Sequence, residues 1–230
     1  MARFDYEPLN LYENFASASR RWPDVPIYFD QVLPAFPELG LATHYYEVLE
    51  AIDRRAGQLA GLGIEAGSKV MIFKSPAFDS YLLAVALTKL GAVPVMVSYH
   101  LSAEVIRVFG QRLGQGHFLL YDHKTGKTVS QLSSPNSSTY LSIESILEVK
   151  EESELKTRQL DLDAIAYMTH TSGTTGIPKL ICHSCRTMGW RTLWQKRVLD
   201  QMQERKLCSF LVSPVHSRFN IGVSSLMSLG

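Results

Sequence analysis

The feature that most constrains the fold is a repeated alternation between short apolar runs and longer segments with helical periodicity. Apolar runs of strand length occupy 26–30, 69–73, 93–97, 117–121, 164–168 and 208–212. Segments whose apolar residues recur at helical spacing occupy 10–22, 45–62, 78–90, 102–113 and 186–204. Strands that alternate with helices indicate a mainly parallel sheet covered on both faces. The alternation therefore predicts an α/β fold.

Several residues and segments are expected to interrupt these elements. Gly63 and Gly91 follow helical segments and are expected to end them. Pro94 weakens the prediction of the strand around it. The stretch 122–139 is rich in Ser, Thr, Lys and Gly and is interpreted as an exposed loop or hairpin. The mixed charge run at 148–158 is interpreted as a solvated connector.

Composition limits the classes of function. The 230 residues are enough for one large domain or two small ones. A net charge of +1 gives no electrostatic case for a nucleic-acid partner, and no apolar run reaches the length of a transmembrane segment. Residues 1–15 lack the apolar core of a signal peptide. The three cysteines, Cys182, Cys185 and Cys208, fit a reducing compartment, so we expect a cytoplasmic protein.

The sequence TSGTTGIPK at 171–179 carries the clearest functional signal. It follows the apolar run at 164–168, where a second unit is expected to begin, and it precedes another apolar run at 180–182. Glycines let backbone amides approach a ligand, hydroxyl groups add donors, and Lys179 adds a mobile positive charge. Together these features describe a clamp for a polyphosphate between two strands. The spacing is not that of the Walker A motif, in which the lysine directly follows the second glycine.

Other interpretations of these residues stay open. Because Gly, Ser and Thr are common in turns, composition alone is equally compatible with a polar hairpin. The sequence CHSC at 182–185 suggests half of a zinc or redox site, but no second pair of ligands accompanies it. A strand end followed by a helix with Ser184 as its N-cap is the simpler interpretation. We interpret His170 and His183 as structural or solvated, and we assign no metal ligand.

The string HTSGTTGIPK at 170–179 resembles the phosphate-binding signature of the acyl-adenylate-forming superfamily. This superfamily comprises acyl-CoA synthetases, aryl-acid ligases, luciferases and the adenylation domains of peptide synthetases. His170 stands where the family usually has an aromatic residue, and Leu180 stands where it often has Gly. Neither departure removes a donor of the clamp.

Two flanking regions extend the resemblance over nearly the whole chain. The segments 67–70 and 89–94 are similar to motifs of the family's N-terminal region, although Ser68 replaces the usual Asp. The sequence SPVHSRFNIG at 213–222 is similar to the segment that borders the family's substrate tunnel, with His216 at the histidine position. The fold implied is the N-terminal part of an adenylate-forming enzyme, with stacked, largely parallel sheets flanked by helices.

The resemblance implies a ligase that works in two steps. A carboxylic acid attacks the α-phosphate of ATP to form an acyl-adenylate, and the thiol of CoA or of a carrier protein then takes the acyl group. Stabilising the departing phosphates requires positive charge and donors, and Mg²⁺ would share that load. Lys179 is assigned a catalytic role, and His216 is assigned to the acyl pocket. The residues expected to hold the phosphates are Thr171, Ser172, Gly173, Thr174, Thr175, Gly176 and Lys179.

The resemblance covers only the first part of such enzymes. We expect residues 1–230 to be the N-terminal portion of an adenylation domain, because the family's acidic adenine-side motif, ribose-binding aspartate, hinge and bridging lysine do not appear in the sequence. We therefore expect this chain alone to be inactive. We also expect its apolar end to be covered by a second copy or by the missing C-terminal half.

Two rival hypotheses are kept. The first is an unrelated ATP hydrolase or kinase with a novel phosphate loop, for which no base or set of metal ligands is visible. The second is a truncated, non-catalytic protein that binds a nucleotide or a partner. A natural reading frame that ends at Gly230 would favour the second hypothesis, whereas a frame that continues into the missing motifs would favour the ligase. The identity of the acid does not follow from the sequence.

Overall fold

The computed structural model describes residues 10–132, 138–150, 161, 163–172 and 176–191. Within these ranges the helices are α1 (Leu11–Arg21), α2 (Tyr45–Gly61), α3 (Asp79–Lys89), α4 (Ala103–Leu113), α5 (His123–Val129) and α6 (Ile143–Leu147). The strands are β1 (Pro26–Tyr28), β2 (Ala42–His44), β3 (Lys69–Phe73), β4 (Val93–Met96), β5 (Phe118–Tyr121), β6 (Thr139–Ser142), β7 (Ile165–His170) and β8 (Leu180–Ser184). A turn of 3-10 helix covers Pro37–Leu39.

Six strands form one sheet in the order β6-β5-β3-β4-β7-β8. The pairs from β6 to β7 are parallel, and β8 is antiparallel to β7. β1 and β2 form a separate antiparallel pair. The predicted α/β fold with a largely parallel sheet flanked by helices is confirmed. Because β7 pairs with β4, the second unit expected at 164–168 is part of the same sheet and not a separate one.

Helices cover both faces of the six-stranded sheet. Side chains of a strand alternate between faces. Val70 and Ile72 of β3 accordingly join one buried cluster with α2 and α3, whereas Met71 and Phe73 join a second cluster with α4. No helix in the described ranges combines the length and the apolarity needed to cross a membrane.

Glycine and proline act at the boundaries of these elements. Gly63 and Gly91 follow α2 and α3 with φ angles of +86° and +73°, which confirms that they end these helices. Pro94 lies inside β4, although a proline at this position weakens the prediction of a strand from the sequence. The Val93 N–H donates to Ser68 O, directly before β3, and the Val97 N–H donates to Ile72 O of β3, so strand alternation points position 94 away from β3. On its other side, β4 pairs with β7 through Val95, the residue after Pro94, which lies opposite Met168.

The interpretation of 122–139 as an exposed loop or hairpin is wrong for its first half, which forms α5. Asp122 and Thr125 make a capping box, since the carboxylate of Asp122 accepts the Thr125 N–H at 3.1 Å and the Thr125 hydroxyl accepts the Asp122 N–H at 3.2 Å. Val129 is buried in the α4 cluster. Of the polar residues that suggested a loop, His123, Lys124 and Lys127 are exposed, whereas Thr125 is buried. Of the predicted helix at 186–204, residues 186–191 are described and helical, and the predicted strand at 208–212 lies outside the described residues.

A polar network occupies the carboxyl ends of β3 and β5, where the strand order reverses and where ligands of open parallel sheets often bind. The carboxylate of Asp122 accepts hydrogen bonds from the amide and the hydroxyl of Ser75, and the Thr125 hydroxyl donates to Phe73 O at 2.8 Å. Burial alone would raise the pKa of Asp122, but these hydrogen bonds from Ser75 and Thr125 outweigh it and lower that pKa. The polar groups at this point are hydrogen-bonded to one another. The loop with the candidate phosphate-binding residues lies elsewhere on the same edge of the sheet, after β7.

Candidate phosphate-binding site

The candidate site is the loop that joins β7 to the antiparallel β8. The last registered pair of the two strands is His170 with Leu180. Thr171 and Lys179 continue the hairpin beyond this pair, because the Thr171 N–H donates to Lys179 O at 3.0 Å and the Lys179 N–H donates to Thr171 Oγ1 at 3.0 Å. The strand–loop–strand context predicted from the sequence is confirmed.

The structure describes four of the residues predicted to hold phosphate. Thr171 is half-buried at the base of the loop, whereas Ser172, Gly176 and Lys179 are exposed. Gly176 has a φ of +146°, which side chains rarely allow, and the space around its missing Cβ is open. Its backbone conformation, and not crowding, therefore favours glycine. The predicted site residues outside the described ranges are Gly173, Thr174, Thr175 and His216.

His170 links the start of the loop to the segment after β4. Its side chain is 2% exposed. Nδ1 lies 2.7 Å from Thr171 O, and Nε2 lies 3.0 Å from the Ser98 amide nitrogen. The two partners fix the tautomer, because Nδ1 must donate to a carbonyl and Nε2 must accept from an N–H. Burial lowers the pKa of His170, although the hydrogen bond to the Thr171 carbonyl raises it, so the neutral ring that this bridge requires is favoured.

Arg112 is a second contact that the sequence did not indicate. Its Nη1 donates to Pro178 O at 2.7 Å, at the end of the loop. A basic residue in the last turn of a helix is ordinarily explained by the helix dipole, so Arg112 gave no functional signal in the sequence. The side chain of His170 thus contacts the start of the loop, and that of Arg112 contacts its end.

The CHSC sequence has a structural explanation in this fold. Cys182 is exposed, whereas His183 and Cys185 are buried. Ser184 Oγ accepts the Thr187 N–H at 3.2 Å, which confirms the predicted N-cap of the helix after β8. Across the described ranges, no group of three or more His, Cys, Asp or Glu side chains is placed to hold a metal ion.

Comparison with known proteins gives the family. The family model described as AMP-binding enzyme matches residues 15–228. The 3-amino-2-hydroxy-4-methoxybenzoate diazotase of Streptomyces cremeus is 28% identical, over 94% of this chain and 44% of that protein. The 4-chlorobenzoate–CoA ligase of an Arthrobacter species is 24% identical, over 80% of this chain and 34% of that protein.

Solved structures agree with this at the level of the fold. The long-chain-fatty-acid–CoA ligase of Archaeoglobus fulgidus superposes with a TM-score of 0.79 at 15% identity, over 99% of this chain and 47% of that chain. This chain therefore spans less than half the length of each of these three proteins. The family model, in contrast, matches nearly all of this chain, and the chain belongs to the AMP-binding enzyme family.

Proposed function

We propose that the intact protein uses ATP to convert a carboxylic acid into an acyl-adenylate and then passes the acyl group to a thiol. The observation that carries the proposal is the loop between β7 and β8. In a chain of the AMP-binding enzyme family, this loop holds its base by hydrogen bonds between Thr171 and Lys179 and leaves Ser172 and the Lys179 side chain exposed. A fixed backbone with exposed donors is suited to binding an anion.

In the proposed first step, a carboxylate oxygen attacks the α-phosphorus of ATP. The bond from that phosphorus to the bridging oxygen breaks, and pyrophosphate leaves with the electron pair. The Lys179 ammonium and the hydroxyl of Ser172, together with Gly173, Thr174, Thr175 and Gly176, would hold the departing phosphates. Thr171 would fix the base of this loop. Donors that are already oriented need no rearrangement when the negative charge develops.

In the proposed second step, a thiol sulfur of CoA or of a carrier protein attacks the acyl carbonyl carbon. AMP leaves with the electron pair, and the thiol proton passes to solvent. His216 would lie beside the acyl group and influence which acid is accepted. Mg²⁺ bound to phosphate oxygens of ATP would neutralise part of their charge. We assign this ion no protein ligand in the described ranges.

Acid-dependent exchange of labelled pyrophosphate into ATP tests this proposal, because exchange requires the first step to run in both directions. The panel of acids should begin with hydroxy-, amino- and chlorobenzoates, since both relatives described above are named for benzoates, and it should extend to fatty acids. We expect exchange with at least one acid and none without acid. Binding of ATP with no exchange across the panel would instead favour a non-catalytic nucleotide-binding protein.

A second candidate is diazotisation of an aromatic amine. The observation that favours it is that the relative named as a diazotase matches 94% of this chain. In that reaction a nitrite oxygen, and not a carboxylate, would attack the α-phosphorus and displace pyrophosphate. The amine nitrogen would then attack the nitrosyl nitrogen, AMP would leave with the electron pair, and the resulting nitrosamine would take up a proton and lose water to give the diazonium ion. Exchange that requires nitrite and proceeds without acid would support this candidate over the acid ligase.

A further inference from the structure

We infer that Arg112 is a positioning residue for Lys179, an inference that rests on the proposed function of the loop. Arg112 lies in the last turn of α4, and its Nη1 donates to Pro178 O at 2.7 Å. A guanidinium that donates to a carbonyl at this distance makes a strong, charge-assisted hydrogen bond. Pro178 is buried and directly precedes Lys179, so the contact acts on the residue next to the proposed phosphate ligand.

The contact fixes one peptide group from both sides. The carbonyl of Pro178 and the N–H of Lys179 belong to the same planar unit. Arg112 holds the carbonyl, and Thr171 Oγ1 accepts the N–H at 3.0 Å. The carbonyl of Lys179 also accepts the Thr171 N–H at 3.0 Å. The backbone of Lys179 is therefore held at three points while its side chain is exposed, which presets where the ammonium can meet a phosphate.

The helix that carries Arg112 is itself a rigid support. Phe109 is buried in the cluster of α4, and its ring lies 5.9 Å from that of His170, before the loop. Residues 109 and 112 share a helix face because they are three apart. Lys69 Nζ donates to Leu113 O at 2.8 Å and ties the end of α4 to the start of β3. One face of α4 thus contacts the residues on both sides of the loop.

Arg107 provides a matched control. It is exposed on the same helix, and its replacement by Ala removes the same charge as Arg112→Ala. In Arg112→Ala we expect faster hydrogen exchange of the Lys179 amide than in Arg107→Ala, measured on peptides that cover the loop. We expect kcat/KM for ATP to fall about ten- to a hundredfold, with the KM of the acid and the Tm close to those of Arg107→Ala. Arg112→Lys, which can still donate to the carbonyl, should restore part of the loss.

Three outcomes would overturn the inference. The first is equal amide exchange in the two Ala variants. The second is faster exchange with an unchanged kcat/KM for ATP. The third is a rise in the KM for the acid and for ATP alike, together with a lower Tm, which would indicate a general structural effect. A wild-type protein that shows no acid-dependent turnover and no binding of ATP in calorimetry would instead refute the proposed function, and the amide exchange would still report whether Arg112 holds the loop.

Discussion

Lys179 combines a backbone held by hydrogen bonds with an exposed side chain, so its replacement should separate function from folding. We expect Lys179→Ala to lower acid-dependent pyrophosphate exchange by a factor that corresponds to ~2–4 kcal/mol, because a charge that meets the developing negative charge is lost. The Tm should change little. Lys124→Ala, at another exposed lysine, is the control. A folded Lys179→Ala protein with wild-type exchange would rule out the role proposed for this lysine.

His170 should make the stability of the fold depend on pH. Burial lowers its pKa from the ordinary 6.5, against the raising effect of the Thr171 carbonyl. Between the folded and unfolded pKa values the unfolded chain binds more protons, so the free energy of unfolding decreases as the pH falls below about 6.5. Protonation also removes the acceptor of the Ser98 N–H. His170→Phe has neither a titrating imidazole nor an acceptor for the Ser98 N–H. The difference in the free energy of unfolding between wild type and His170→Phe should therefore shrink as the pH is lowered.

Urea unfolding at several pH values from about 8 to about 5 would measure this difference. His123→Phe, at an exposed histidine on α5, controls for the removal of an imidazole. Curves of unfolding free energy against pH that run parallel for wild type and His170→Phe would contradict the expectation.

At the scale of elements, a buried ion pair joins Lys74, directly after β3, to Asp79, the first residue of α3. Lys74 Nζ lies 2.7 Å from Asp79 Oδ1, and both side chains are 0% exposed. Lys74 also donates to Ser75 O, and Asp79 also accepts the Ala35 N–H. We expect Asp79→Asn to lower the free energy of unfolding by ~3–5 kcal/mol, because it leaves the Lys74 charge buried without its partner. The double variant Lys74→Met with Asp79→Asn should recover much of this loss.

The exposed pair of Asp163 with Arg186 supplies the control for that measurement. The Asp163 and Arg186 side chains are 70% and 47% exposed, so Asp163→Asn should change the free energy of unfolding far less than Asp79→Asn does. Urea unfolding of the variants compares the two sites. A loss in Asp79→Asn no larger than that in Asp163→Asn would show that the buried pair does not stabilise this connection.

The elements themselves were largely predictable because their signals are local. The periodic segment 45–62 became α2 (Tyr45–Gly61), and the apolar run 69–73 became β3. α5 was missed for a physical reason: its composition is that of a loop, and what stabilises it is a capping box together with the burial of Val129 against distant residues. A local sequence pattern predicts a helix or a strand well only when the pattern also shows which residues of that element are buried.

At the scale of the whole molecule, the candidate site was predictable only in part. The glycines, hydroxyls and lysine of the loop are contiguous, so a sequence motif identifies them. The contacts that hold the loop join residues far apart in the chain: Arg112 and Pro178 are separated by 66 positions, and Ser98 and His170 by 72. Such contacts depend on the sheet order, which brings β4 beside β7 and places α4 against the loop. No local spacing in the sequence encodes them.

The most direct test of the proposed reaction follows the oxygen atoms of the acid. The intact protein is supplied with ATP, Mg²⁺, CoA and the acid that best supports exchange, labelled with oxygen-18 in its carboxylate, and the AMP formed is analysed by mass spectrometry. The proposal predicts one labelled oxygen in each AMP, because the attacking carboxylate oxygen stays on the α-phosphorus when the thiol takes the acyl group. Unlabelled AMP, or label released in orthophosphate, would contradict the formation of an acyl-adenylate.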